Sequence, residues 1–219
     1  MATPKEQLDS QNLTRRDRNK LRNRQEILDA ALAVFSERGY HEASIQEIAD
    51  RADFAVSTIY ALFDNKESLY RASYADLARR CGEVFDKAMA QGKDEYEKLV
   101  NFVRAKGEIF QDNPDGIRLY INEVRLFQPV LEKDPGRGIK AVYDRFMLRI
   151  ADLFASGIQK GIFRENDPMF LALALDGMTN EFAIRWLEDP ERYPYLENVE
   201  RMIEIFFGPV LISKPRAGK

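Results

Sequence analysis

The sequence predicts an all-α protein of about nine helices, and two observations predict this fold class. Apolar residues recur at intervals of three and four along most of the 219 residues, which is the spacing of a helix with one buried face. No pair of alternating apolar runs flanks a turn, so β-hairpins are not indicated. Because 45% of the residues are hydrophobic, the chain is able to bury a sizeable core.

The first segment, residues 1–20, is predicted to be a basic flexible arm. It has no apolar stripe, and we expect disorder up to about residue 18. Such a tail grips phosphates or enters the minor groove beside a bound helix; the alternative is a solubilising tail without contacts. The cations of the arm and of the residues just after it are Arg15, Arg16, Arg18, Lys20, Arg22 and Arg24, opposed in this run only by Asp17.

Residues 21–66 are predicted to form a three-helix module. The first helix has an apolar face over residues 27–35 and ends at Gly39, a typical residue after a helix C-terminus. The second begins at Ser44, because Ser44 and Glu47 have the spacing of a capping box. It ends at Asp53, a residue type that tolerates the left-handed conformation.

The third helix starts near Val56 and stacks Ile59 and Phe63 on one side. A fourth begins after Asp64 or Asn65 as N-cap. Two short helices joined by a three-to-four-residue turn are typical of the helix-turn-helix, whose second helix enters the major groove of DNA. The buried stripe predicted for the fourth helix consists of Leu69, Tyr70, Ser73 and Leu77.

At this point the chain resembles the N-terminal domain of the tetracycline-repressor family of transcriptional regulators, over about residues 24–70. The motifs that carry the resemblance are Ile27-Leu-Asp-Ala-Ala, Phe35-Ser-Glu-Arg-Gly-Tyr40, Ile48-Ala, Thr58-Ile-Tyr, Phe63 and Lys66-Glu. The resemblance implies that the start of the second helix, the third helix and the first Lys of the fourth contact DNA. The corresponding residues are Ser44, Ile45, Gln46, Val56, Ser57, Thr58, Tyr60, Ala61, Leu62 and Lys66.

The chemistry of several of these residues agrees with DNA contact. Hydroxyls at Thr58 and Tyr60 and the ammonium of Lys66 are phosphate partners, and Gln46 matches the edge of adenine. Taken singly, each of these residues is more simply explained as an ordinary solvent-exposed side chain. Only their combination, at the spacing of the family's motif, favours a DNA-binding function. Three departures from the family's pattern bear on the operator sequence and not on the mode of binding: Asp53 in place of Gly, Ala55 in place of a capping hydroxyl, and Leu62 in place of His or Tyr.

Residues 67–213 are predicted to form an effector-binding and dimerisation domain, followed by a tail at 214–219. Two helices are unusually apolar: residues 169–175 carry no charge, and residues 203–211 carry only Glu204. A helix that is apolar all round must be covered all round. In the family the last two helices form a four-helix dimer interface, so the resemblance implies a homodimer with two recognition helices about 34 Å apart. The other helices are predicted at residues 96–110, 114 to about 130, and 142–161, with a break at 135–138.

The resemblance also implies a small-molecule effector cavity among the fifth to seventh helices, coupled to DNA through the fourth helix. In one interpretation Asp176 or Asn180 orients a lipophilic or aromatic effector. The alternative, which we favour for these individual residues while still expecting the cavity, is a core of aromatics with carboxylates that pair across the dimer, for instance with Arg118 or Arg125. A rival function is a DNA-binding dimer with a filled core, regulated by a protein partner. The candidate ligand-binding residues are Phe102, Phe110, Tyr120, Phe146, Asp176 and Asn180.

Other classes of protein find little support in the sequence. The one histidine, His41, is expected in a loop, no metal-ligand spacing appears, and Gly136-x-Gly138 lacks a third glycine. We therefore expect no enzyme activity, cofactor or metal. The lone Cys81 is expected to be a small buried hydrophobe. No run is apolar enough to span a bilayer, so we expect a cytoplasmic protein, and the net charge of −3 matters less than the local charge of the arm.

Overall fold

The computed structural model describes residues 14–118 and 139–212, except for the side chains of residues 139 and 140. The helices are α1 (Arg15–Glu42), α2 (Ile45–Ala52), α3 (Val56–Tyr60), α4 (Lys66–Met89), α5 (Glu95–Asp112), α6 (Ile139–Gln159), α7 (Pro168–Glu188) and α8 (Tyr195–Val210). Residues 114–118 are also helical. In the described ranges, extended pairing is limited to one isolated bridge between Phe163 and Leu211. The predicted all-α fold is confirmed, while Tyr120, Arg125 and the break at 135–138 lie outside the described residues.

The chain divides into two compact units between Tyr74 and Ala75. The division falls inside α4, so this helix belongs partly to each unit. The domain boundaries derived from the sequence stay a prediction. None of the helices within the described residues is long and apolar enough to cross a bilayer.

The start of α1 differs from the prediction. Thr14 caps the helix: its hydroxyl accepts a bond from the N–H of Asp17 at 3.2 Å, and the Asp17 carboxylate accepts from the N–H of Thr14 at 3.2 Å. The prediction of disorder was therefore wrong for residues 15–18, which are helical. The missed signal is a second capping box, Thr14-x-x-Asp17, ahead of the apolar face of the first helix.

A kink near the end of α1 turns the chain toward α2. Gly39 has φ 76° and ψ 167°, a conformation that side chains with a Cβ rarely adopt. One more helical turn follows, so His41 lies in that turn instead of the expected loop. The capping box of Ser44 and Glu47 then starts α2 as predicted, and Asp53 ends it in the left-handed conformation with φ 58°.

The core of the first unit joins α1, α2, α3 and the start of α4. Ile59 and Phe63 are buried as predicted, and so are Leu69, Tyr70 and Ser73 of the predicted stripe of α4. The last residue of that stripe, Leu77, is also buried and belongs to the second unit. The ring of Tyr70 meets the rings of Phe35 and Tyr40 edge-on, at centroid distances of 4.9 and 5.0 Å. The N-cap of α4 is Asn65, whose side chain accepts from the N–H of Ser68 at 2.8 Å.

The second unit packs the rest of α4 with α5 to α8 around buried aromatic rings. Asp94 caps α5, and Asp167 caps α7 with Pro168 as its first residue. Burial raises the pKa of the Cys81 thiol to about 11, which suits its expected role as a small apolar side chain. At the start of α5 the buried Glu95 accepts hydrogen bonds from Ser156 at 2.9 Å and from Lys160, which ties α5 to the end of α6.

Candidate nucleic-acid interface and ligand site

The short helix α3 has one buried face and one exposed face. Ile59 is fully buried, whereas Tyr60 is 53% exposed. Ser57 and Ala61 are exposed on the same side as Tyr60, since residues three and four apart share a helix face. The helix has no side-chain cap, because Ala55 occupies the N-cap. The fold thus presents a small polar face of α3 to the surroundings, while Val56, Thr58 and Leu62 are only partly exposed.

The start of α2 contributes a second exposed patch of the same unit. Gln46 is exposed, and its amide Nε2 donates to the Asp50 carboxylate at 2.8 Å. Ser44 is occupied by the capping box, donating to Glu47 at 2.9 Å and accepting from its N–H at 3.1 Å. The hydrogen bond from Ser44 lowers the pKa of Glu47. Ile45 is half-buried, so Gln46 is the side chain here most open to a partner.

Lys66 lies at the junction of α1, α2 and α4. Its Nζ donates to the carbonyl oxygens of His41 at 3.1 Å and Ala43 at 2.8 Å, and lies 4.6 Å from the centre of the Tyr40 ring. An ammonium has three N–H donors, so these two bonds leave one for a further acceptor. Lys66 therefore fixes the turn before α2 and still has the capacity to bind a phosphate.

A buried polar cluster lies between α5, α6 and α7 in the second unit. Lys106 and Asp176 are 3% and 5% exposed, and the Lys106 Nζ lies 2.6 Å from the Asp176 carboxylate. Lys106 also donates to Thr179 at 2.8 Å, while Tyr143 and Asn180 each donate to Asp176 at 2.9 Å. We call these five residues the polar cluster. Asn180 Oδ1 is buried without a hydrogen-bond partner, so one acceptor in the cluster is unsatisfied.

This pairing corrects the alternative considered for Asp176. Its partner is Lys106 of the same chain, not an arginine across a dimer, and Arg118 pairs with Asp115. The sequence predicted a helix over residues 96–110, but Lys106 was not recognised as the partner of Asp176. The signal was available: a Lys on the buried face between Phe102 and Phe110 requires a counter-charge.

Aromatic side chains surround the polar cluster. The Lys106 Nζ lies 5.9 Å and 5.4 Å from the ring centres of Phe102 and Phe110. The Phe102 ring is 5.5 Å from that of Phe146. Burial raises the pKa of Tyr195, whose protonated hydroxyl donates to the Thr179 carbonyl at 3.2 Å. The structure therefore brings together five of the six predicted ligand residues, and Tyr120 lies outside the described residues.

The outer sides of α7 and α8 carry exposed apolar residues. Phe170 and Leu173 on α7 are 65% and 48% exposed, and Ile205 on α8 is 56% exposed. Gly177 and Gly208 lie on the same helices, and a Cβ added to either meets no atom within 4 Å. Apolar groups of this size on two neighbouring helices are typical of surfaces that another protein covers.

Two family models match the chain. One, described as "Bacterial regulatory proteins, tetR family", matches residues 27–73, and the other, "Tetracyclin repressor-like, C-terminal domain", matches residues 92–190. The transcriptional regulator RutR of Escherichia coli K12 is 26% identical over 160 residues, or 72% of each chain. The fatty acid metabolism regulator protein of Bacillus subtilis 168 is 25% identical over 191 residues, or 84% of this chain and 94% of that protein.

A solved structure supports the same fold. FadR of Bacillus subtilis, crystallised in complex with stearoyl-CoA, superposes with a TM-score of 0.72 at 22% identity. The superposition covers 83% of this chain and 96% of FadR. Both units of the chain thus have counterparts in one known architecture.

Proposed function

Since the chain belongs to the tetracycline-repressor family and is a ligand-responsive, DNA-binding transcriptional repressor, we propose that it reads its operator through α3 and the start of α2. One observation carries this proposal. The side of α3 with Ser57, Tyr60 and Ala61 is exposed, while Ile59 on the other side is fully buried. A helix held by its apolar side presents the other side at a fixed angle, which is what entry into a major groove requires.

The contacts divide by chemistry. Ser57, Thr58, Tyr60 and Lys66 bind phosphate oxygens and set the register of the protein on the duplex. Gln46 pairs with an adenine edge after releasing Asp50. The remaining contacts are apolar or made through the backbone, with Leu62 and Ala61 suited to a thymine methyl group. The apolar or backbone contacts are those of Ser44, Ile45, Val56, Ala61 and Leu62.

The protein acts as a homodimer through α7 and α8. The exposed apolar side chains Phe170, Leu173 and Ile205 supply the area, and Gly177 and Gly208 allow two helices to approach closely. A twofold axis through this surface gives two copies of α3, as a pseudo-palindromic operator requires. The proposed site of action is the bacterial cytoplasm, where operators lie.

The effector is a lipophilic molecule with a polar end, of the fatty-acyl class. The aromatic residues Phe102, Phe110 and Phe146 supply apolar surroundings, and the polar cluster supplies one cationic donor and one unsatisfied acceptor, Asn180 Oδ1. A carbonyl or carboxylate of the effector competes with Asp176 for Lys106. The name of the Bacillus subtilis relative and the ligand of FadR support this class.

α4 connects the two activities. It begins with Lys66 in the first unit and carries Phe85 in the second, where the Phe85 ring lies 4.9 Å from that of Phe102. An effector that changes the packing around Phe102 therefore acts on the helix that starts at the DNA-binding module. The coupling equals the difference in effector affinity between the free and the DNA-bound protein, typically about 1–3 kcal/mol.

The experiment has two stages. Selection of bound duplexes from a random-sequence pool is expected to enrich a pseudo-palindrome. That duplex is then titrated with the protein in the presence of stearoyl-CoA, stearate or coenzyme A alone. We expect stearoyl-CoA or stearate to weaken binding by about 5- to 150-fold and coenzyme A to have no effect. Failure to enrich any duplex contradicts the DNA-binding surface, whereas a duplex indifferent to both acyl probes contradicts only the effector class.

A further inference from the structure

Helix α1 extends for three turns before it reaches the core. It begins at Arg15, and its first buried residue is Ile27, about 18 Å further along the axis. Residues 14–22 are all exposed. A helical segment that buries nothing gains little from packing, yet here the capping box at Thr14 and continuity with the rest of α1 hold it in a defined shape. The segment is therefore a fixed projection of the first unit.

The cations of this projection lie along two ridges. Arg16, Lys20 and Arg24 follow a four-residue spacing, which places them on one side of the helix about 6 Å apart along the axis. The other ridge consists of Arg15, Arg18 and Arg22, and it continues to the acid Glu26, which pairs with Arg22 at 3.6 Å.

The first ridge starts beside the DNA-facing helix. The Cζ of Arg24 lies 5.2 Å from the centre of the Phe63 ring. Phe63 follows α3 by three residues, and its N–H is bonded to the Ile59 carbonyl at 2.8 Å. Arg24 therefore fixes this side of α1 next to the C-terminal end of α3. Lys20 and Arg16 continue the same line outward from the operator-reading surface.

We propose that the ridge of Arg16, Lys20 and Arg24 is a second DNA-binding surface, which binds backbone phosphates flanking the base pairs that α3 reads. The inference rests on the proposed function. Its occupant is the DNA backbone because all three side chains of the ridge are cationic and the ridge adjoins the proposed interface. The one acid beside it, Asp17, is engaged in the capping box with Thr14. The positive N-terminal end of the helix dipole at Arg15 adds to this attraction. Such contacts raise affinity for every sequence alike and steepen its dependence on salt.

The test compares two double variants with equal loss of charge. R16Q/K20Q removes two cations from the ridge, and R15Q/R18Q removes two from the other side of the same helix. Circular dichroism checks that both keep the helix content of the wild type. Affinity is measured by fluorescence anisotropy across a salt series, for the selected duplex and for the same duplex lengthened at both ends by unrelated sequence.

For R16Q/K20Q we expect the slope of log K against log salt to become shallower by about 1.8, or about 0.9 for each lost phosphate contact. The affinity that the wild type gains from the added flanks is expected to disappear. R15Q/R18Q is expected to keep the flank effect and most of the slope. Equal changes in both variants, or none in R16Q/K20Q, overturn the ridge while leaving operator binding intact. A wild type that binds no duplex overturns the proposed function itself, and the inference with it.

Discussion

The two units of the molecule distribute polar and apolar side chains in opposite ways. The first unit exposes polar groups such as Gln46 and Tyr60 over an apolar core. The second buries the ion pair of Lys106 and Asp176 and exposes Phe170 and Ile205. In water the first arrangement costs nothing, whereas the second carries both a desolvation cost and an uncovered apolar surface.

This difference indicates which kind of binding partner suits each unit. Exposed polar side chains on a rigid helix suit a polar partner, for which we propose DNA. An exposed apolar surface suits a second copy of the chain, and a buried ion pair beside an unsatisfied acceptor suits a ligand with a polar end. Each of these three sites thus suits a partner of different chemistry. A different substitution is therefore expected to abolish the binding of each partner.

The largest expected effect comes from placing a charged side chain on the exposed apolar surface of the second unit. A Cβ added at the exposed Gly177 meets no atom within 4 Å, so the Gly177→Arg protomer is expected to fold while the proposed dimer does not form. Loss of bivalency is expected to reduce operator affinity by about 10²- to 10⁴-fold. Analytical ultracentrifugation and anisotropy measure the two quantities.

Gly82→Arg is the matched control, because a Cβ at Gly82 in α4 also meets no atom within 4 Å. It is expected to remain dimeric and to bind like the wild type. A dimeric Gly177→Arg protein contradicts the interface through α7 and α8.

The next effect concerns the buried ion pair. Lys106→Met leaves the Asp176 charge buried without its cation, and we expect a loss of about 3–5 kcal/mol in the free energy of unfolding, measured with urea. The double variant Lys106→Met/Asp176→Leu removes both charges and is expected to recover most of that stability. If Lys106→Met alone is as stable as the wild type, the two side chains do not form a buried pair in solution.

The ends of the helices and the buried ion pair differ in how well the sequence predicts them. The capping box of Ser44 and Glu47, Asp53 at the end of α2 and the start of α7 at Asp167 depend on residues within a few positions of one another, so their pattern is readable directly. The start of α1 at Thr14 was equally local and was missed because the lack of an apolar stripe in this segment suggested disorder.

The sequence was able to show that Lys106 needs a counter-charge, but the identity of its partner was out of reach for a physical reason. Lys106 and Asp176 are 70 residues apart and meet only when α5 and α7 pack. Periodicity placed both residues on the correct helices and gave no register between those helices. The pairing of Asp176 with Lys106 and Tyr143 therefore depends on tertiary structure that no local pattern encodes.

A smaller effect is expected from the ionised carboxylate of Glu95 in the second unit. Hydrogen bonds from Lys160 and Ser156 lower the pKa of Glu95 below its ordinary value of 4.5. Its contribution to stability is therefore complete above 4.5 and disappears as the pH falls through the lowered pKa. Glu95→Gln is expected to cost about 1.5–3 kcal/mol at neutral pH. Urea unfolding at a series of pH values checks that its deficit relative to the wild type shrinks in acid; a deficit that is constant with pH contradicts the assignment.

The smallest expected effect is a gain in stability from a substitution in the first unit. Ala55 occupies the N-cap of α3 without a side-chain hydrogen bond, so Ala55→Ser is expected to stabilise the protein by about 0.5–2 kcal/mol. Thermal unfolding measures the change. Ala90→Ser, at an exposed position after α4, is the control and is expected to be neutral. Equal melting temperatures for both variants indicate that the start of α3 does not limit stability.

The most direct test of the account places a negative charge on the exposed face of α3. Ala61→Glu points a carboxylate at the proposed phosphate-lined groove, and Ala75→Glu adds the same charge at an exposed position of α4. Anisotropy with the selected duplex at low salt is predicted to detect binding by Ala75→Glu and none by Ala61→Glu, with both proteins folded. An Ala61→Glu protein that binds the duplex as tightly as the wild type contradicts the claim that this face of α3 contacts DNA.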